Sequence, residues 1–227
     1  MEHLMDNLLF SITEYVGVVS FAISATLFAL NKKTDIIGAL LITLLTCFGG
    51  GMLRDFTLGQ TPPNLLSNPS FWVQELVAIS VCILLFHTSF FKKVLKVLAK
   101  HQHDFWLEVT DAIGLAAFVV IGVDYAILLG YESNLIILIF SGCITSVGGG
   151  MLRDICTATL PRIFHKHVYL LPCIVGSALY ALTKSELVLG EIWATILTIA
   201  LIITVRVLAC IYKWNLPRPD LSRVQDI

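Results

Sequence analysis

Two heptapeptides in this chain are identical: GGGMLRD occupies residues 49–55 and again residues 148–154. Each copy places three glycines and an Arg-Asp pair at the end of an apolar run. Glycine inside a helix costs about 1 kcal/mol relative to Ala, so three in succession favour a kink or a short unwinding. Backbone freed in this way within a bilayer persists only against protein or water. Half-helix ends made by such a break suit ions, because their carbonyls favour cations and their N–H groups favour anions. Arg54, Asp55, Arg153 and Asp154 add charge where it is expensive, and such charge normally faces a bundle interior or an aqueous cavity. The chemistry on offer is passage of an ion or a small solute. Each feature also has a plainer use: glycine clusters let helices pack closely, and a buried ion pair fixes helix register without touching a substrate.

The elements that carry these residues follow from composition. Of the 227 residues, 57% are hydrophobic and 14% charged, and the mean hydropathy is +0.85. Soluble domains are near 25% charged and under half apolar, so an all-α integral membrane protein is expected. A net charge of −1 supplies no field for nucleic acid, and no nucleic-acid partner is expected. The start, MEHLMDNLLF, has Glu2 and Asp6 where a secretory signal carries Lys or Arg, so the first apolar run is expected to be retained. The six cysteines form no CxxC and read as small buried hydrophobes rather than disulfides.

Apolar runs of spanning length predict seven transmembrane helices at 8–30, 35–53, 71–91, 107–128, 134–152, 168–184 and 190–212, the sixth being short. Alternation then places Lys32, Lys33, Lys92, Lys93, Lys96, Lys100, Arg162, Lys166, Lys213, Arg218 and Arg223 on one side, eleven of the 15 basic residues. By the positive-inside rule that side is the cytoplasm, with the N-terminus outside and the C-terminus inside.

The heptapeptides belong to a longer repeat. Gly17, Phe21 and Ala25 align with Gly114, Phe118 and Gly122 at an offset of 97, as do Glu14 and Asp111. Thr46 and Thr145, and Pro62 and Pro161, align at 99. This divides the chain into a three-helix repeat at 8–91, a second at 107–184, a seventh helix at 190–212 and a cytoplasmic tail at 213–227. Three spans per unit is odd, so the second unit enters from the opposite side as an inverted repeat. The layout is three plus three plus one, with Gly-kinked second and fifth spans.

Weaker candidates are Ser24, Thr43, Thr46, Thr145 and Ser146 as pore lining, against the plainer reading that helical Ser and Thr bond their own backbone. Glu14 and Asp111 line vestibules or sit at the interface. Arg206 is expected to snorkel to the cytoplasm. His101, His103, His165 and His167 form two HxH pairs with no completing ligand spacing, so no metal and no cofactor is expected. The run Lys92 to Lys100 suits anionic lipid headgroups and equally suits positive-inside anchoring. No nucleophile-base pair, phosphate loop or metalloprotease signature is present, so no enzyme is expected.

Paired GGGMLRD in a seven-span chain, with Gly17 and Phe21 matched by Gly114 and Phe118 and the prolines Pro62 and Pro161, resembles the trimeric intracellular cation channels. It is most similar to their bacterial members, whose repeated domain also carries the description of a glycine transporter. The resemblance spans about residues 10 to 212. It implies a homotrimer in the bacterial inner membrane with a pore in each protomer, carrying potassium and some sodium. It further implies that Gly49, Gly50, Gly51, Gly148, Gly149 and Gly150 kink the pore-lining helices, and that Arg54, Asp55, Arg153 and Asp154 gate or constrict the path. The alternative function is a secondary transporter of a small zwitterion such as glycine, whose carboxylate and ammonium the Arg and Asp would bind.

Overall fold

The computed structural model describes residues 8–87, 103–165, 168–185 and 190–214. Nine helices lie among them: α1 (Leu8–Asn31), α2 (Ile36–Thr57), the short α3 (Asn64–Ser67), α4 (Pro69–His87), α5 (His103–Leu128), α6 (Leu135–Cys156), the short α7 (Arg162–His165), α8 (Leu171–Ser185) and α9 (Gly190–Ile211). Helices α1, α2, α5, α6 and α9 are long and apolar enough to cross a membrane, and α4 and α8 contain shorter apolar helices where the third and sixth spans were expected. The 15 described residues of α8 reach about 22 Å at 1.5 Å per residue. Helices α2 and α6 continue past the expected ends at 53 and 152 to Thr57 and Cys156. The Arg-Asp pairs are therefore in the last turns of buried helices, not in the loops that follow.

Local chemistry repeats between the halves. Asp35 caps α2 by accepting from Gly38 N–H at 2.7 Å, and Asn134 caps α6 by accepting from Ile137 N–H at 3.2 Å. Such caps satisfy amides that have no helical acceptor. At the other end Gln60 N–H donates to Asp55 O across Gly59, and Thr159 N–H donates to Asp154 O across Ala158. Gly59 has φ +76° and Ala158 has φ +51°. Left-handed backbone is free for glycine but costs a residue with a Cβ about 1–2 kcal/mol.

The two helices at equivalent places in the halves pack on each other, α1 against α5 and α2 against α6. Between α1 and α5, the rings of Phe21 and Phe118 meet at 5.1 Å. A Cβ on Gly17 would fall 3.1 Å from Phe118, and one on Gly114 would collide with Phe21. Helix α5 is the most enclosed, with 83% of its apolar window buried against 33% for α9. That is because α5 also carries α6, α8 and α9. The seventh span thus packs chiefly on the second half, against α5 and α8.

Candidate functional site

The site is built on the α2–α6 crossing, and the glycine triplets are its centre. Helix runs unbroken through both triplets, so the short unwinding that three glycines would allow does not occur. Their peptide carbonyls stay within the helical ladder rather than opening toward an ion. What the glycines supply is proximity. A Cβ on Gly50 would collide with the carbonyl oxygen of Thr145, and one on Gly149 with that of Thr46. One on Gly148 would fall 3.1 Å from Gly50 Cα. Residue numbers that rise along α2 meet numbers that fall along α6, so the helices are antiparallel, as an inverted repeat requires. Small residues let backbones approach in this way within a membrane.

Each Arg-Asp pair closes on itself, at opposite ends of the crossing and about 15 Å apart along the axis at 1.5 Å per residue. Asp55 Oδ1 accepts from Arg54 Nε at 3.0 Å and Nη2 at 2.7 Å. Asp55 Oδ2 accepts from Asn64 N–H at 2.9 Å, which ties α3 to the end of α2. Asp154 repeats this, accepting from Arg153 Nε at 2.8 Å and from Arg162 N–H at 3.0 Å. All four charged side chains are buried. Each guanidinium then lies on an aromatic ring of the other half: Arg54 is 3.7 Å from the Tyr125 centroid and Arg153 is 4.7 Å from that of Phe28. Phe28 and Tyr125 are themselves 97 residues apart, the offset of the first spans. Charge neutralised by Asp and stacked on a π-face is a stable arrangement for a desolvated Arg.

Beyond this shared core the ends differ. At the Arg54 end, a cavity of about 30 Å³ is bounded by Glu14, Arg54, Asp55, Asn64, Gln74 and Thr145, among others. Gln74 Nε2 donates to Glu14 Oε2 at 2.5 Å. At the Arg153 end, Asp111 accepts from the Tyr169 hydroxyl at 2.8 Å and faces Arg162 at 3.5 Å, Arg153 at 3.9 Å and Arg206 at 3.9 Å. Arg206 pairs with Glu108 at 2.6 Å and stacks 4.4 Å from the Tyr169 centroid. Among the described residues, buried Arg153 Nη1 and Nη2 and Arg162 Nη1 find no hydrogen-bond acceptor.

Several expectations are thereby corrected or narrowed. Arg206 does not snorkel: it is 2% exposed, because Glu108 and Asp111 offer it buried anions. Asp111 is fully enclosed by protein. Thr46, Thr145 and Ser146 donate to the carbonyls of Ile42, Ser141 and Cys143 on their own helices. Thr43 lies against Thr26 at 3.3 Å. Ser24 reaches outward, to Leu107 O at 3.4 Å and Asp111 Oδ1 at 3.5 Å. The Lys92–Lys100 run, His101 and His167 lie outside the described residues. Sequence reasoning missed Phe28, Tyr125, Glu108, Arg162, Tyr169 and Gln74. The repeat offset that links Phe28 to Tyr125 was the one signal for that pair, and Glu108 sits one turn before Asp111 on the same helical face.

Comparison with known proteins agrees with this architecture. Residues 11–89 and 108–185 each match the family described as glycine transporter. The UPF0126 inner membrane protein YadS of Escherichia coli strain K12 is 31% identical over 92% of this chain and 94% of its own length. A UPF0126 membrane protein of Vibrio cholerae is 31% identical over 97% of this chain and 86% of its own. Among solved structures, one described under conductance through TRIC cation channels is 32% identical, with a TM-score of 0.75 over 94% of this chain and 98% of that one. The trimeric intracellular cation channel orthologue of Rhodobacter sphaeroides is 25% identical, with a TM-score of 0.77 over 90% and 98%.

Proposed function

We propose that this chain, which belongs to the glycine transporter family of membrane proteins, is a passive channel for monovalent cations. The observation that carries the reading is its likeness over nearly the whole chain to solved cation channels, at up to 32% identity. Potassium is the principal ion in this reading and sodium a lesser one. The path runs within each protomer of a homotrimer, along the α2–α6 crossing. Gly49–Gly51 and Gly148–Gly150 set the helix approach, and Ser24, Thr46, Thr145 and Ser146 border the path. Arg54-Asp55 and Arg153-Asp154 are the two constrictions, with Tyr125 and Phe28 holding the arginines in place. An Arg would repel cations, but the ion pair in which Arg54 Nε and Nη2 both donate to Asp55 Oδ1 offsets that charge at one end. The repeats 8–91 and 107–184, the helix 190–212 and the tail 213–227 are the units of this reading. The chain sits in the bacterial inner membrane among its lipids, N-terminus outside and C-terminus cytoplasmic.

The test is potassium flux and single-channel current from the purified protein in liposomes and planar bilayers. Potential-driven, non-saturating potassium flux is expected. Arg54→Ala and Arg153→Ala are each expected to alter conductance, and Tyr125→Leu to lengthen openings by releasing Arg54. Saturable, proton-dependent glycine uptake without potassium current would overturn the channel in favour of a zwitterion transporter.

A further inference from the structure

The two halves place carboxylates at equivalent positions, Glu14 on α1 and Asp111 on α5, yet surround them differently. Asp111 is enclosed by Arg153, Arg162, Arg206 and the Tyr169 hydroxyl. With Glu108 and Asp154 the cluster holds three carboxylates against three guanidiniums, and it is balanced. Glu14 instead meets the neutral amide of Gln74. The charged side chains lining its cavity are Glu14, Arg54 and Asp55, and Arg54 is committed to Asp55. With Glu14 ionised, one negative charge is left over. Both differences come from residues outside the shared core. In the first half the place of Arg162 is taken by Asn64, whose N–H bonds Asp55 as Arg162 N–H bonds Asp154; the position 97 before Glu108 is Ser11; and Arg206 belongs to α9, which packs chiefly on the second half.

We propose that the cavity lined by α1, α2, α3 and α4 and closed by α5 and α6 is a binding site for a single monovalent cation, with Glu14 as its charged ligand, and that Asp111 is not such a site. The cavity volume of about 30 Å³ exceeds the 10–15 Å³ or so that one water-sized occupant needs. Its walls supply carboxylate and amide oxygens from Glu14, Asp55, Asn64 and Gln74, the hard oxygen donors that a small cation takes. Asn64 is held there by its own bonds to Asp55 Oδ2. A carboxylate buried this deeply is costly unless a cation or donors meet it, and Gln74 supplies one donor where Asp111 has five partners, Ser24 included. The site rests on the channel reading in that it sits at one mouth of the same crossing, and it gives that mouth a cation preference that the other lacks.

The experiment uses the full chain, at mildly alkaline pH, as wild type, Glu14→Gln, Glu14→Asp and Glu132→Gln. Glu132 is an exposed carboxylate in the α5–α6 turn and controls for net charge. Thermal unfolding in detergent is followed in KCl against choline chloride at equal ionic strength. Wild type, Glu14→Asp and Glu132→Gln are expected to be stabilised by potassium, and Glu14→Gln is not. In bilayers at low salt, Glu14→Gln is expected to lower conductance about threefold, the effect of one charge about 6 Å away in water. The deficit should vanish near 1 M salt, where the Debye length falls to about 3 Å. A Glu14→Gln protein that keeps both its potassium-dependent stabilisation and its low-salt conductance overturns the site while leaving the channel intact. If no variant conducts, the channel reading fails and the thermal comparison still decides the site. Should Glu14→Gln fold poorly, loss of the potassium effect in Glu14→Asp would equally refute the charged-ligand role.

Discussion

Neighbouring glycines of one triplet should respond oppositely to the same substitution. A Cβ added at Gly50 lands on the Thr145 carbonyl, which belongs to the backbone of α6 and cannot rotate away. Added at Gly51, it meets nothing closer than Arg54 Nη2 at 3.8 Å, an ordinary contact. Overpacking a tight interface costs about 1–3 kcal/mol, and α2 and α6 form the most extensive helix pair in the fold, so Gly50→Ala should lie at or above the top of that range. Gly51→Ala has no such cost and gains up to about 1 kcal/mol of helix propensity. The mirror variant Gly149→Ala, aimed at the Thr46 carbonyl, should match Gly50→Ala. The double variant Gly50→Ala/Gly149→Ala should be less than additive, since helices already parted by one methyl accept the second. Equilibrium unfolding of the detergent-solubilised protein by heat or denaturant measures all four. Equal stabilities for Gly50→Ala and Gly51→Ala would refute the backbone contact and return the triplet to a role as a hinge.

Two further outcomes follow from the same geometry. Ala158→Gly should stabilise the protein by about 1 kcal/mol, because φ +51° is strained for Ala and free for Gly; Gly59→Ala should lose a similar amount, and a thermal midpoint reads both. Arg206→Gln should destabilise by about 3–5 kcal/mol, the cost of breaking a buried pair, whereas the double variant Arg206→Met/Glu108→Leu should recover most of it in chemical denaturation.

The GGGMLRD repeat and its offsets made the paired halves, and hence the α2–α6 crossing, readable before any coordinates. Five of the seven spans were readable too, because bilayer thickness constrains length and hydropathy together. Helix continuity through the triplets was not. Propensity treats a glycine alone, while here Thr46 and Thr145 of the opposing helix fill the space a side chain would take, so helical backbone is retained. Arg206 and Arg162 were misjudged for a related reason. Their positions near span ends fit anchoring at the membrane surface, and only tertiary packing delivers Glu108 and Asp111 to them. The stacks of Arg54 on Tyr125 and Arg153 on Phe28 join residues 71 and 125 positions apart, a relation that no local pattern encodes.

The crossing of α2 on α6 is, in effect, an isologous dimer interface carried within one chain: patch i meets patch j, and j meets i, as across any two-fold axis. In a true homodimer every substitution appears on both sides at once, so neither half can specialise. Fusion removes that constraint. Gly50 and Gly149 remain matched because each fits against the other's helix, while residues a turn or two away are released to differ. Glu14 beside Gln74 and Asp111 beside three arginines are the outcome, and a covalently joined dimer acquires two unlike ends.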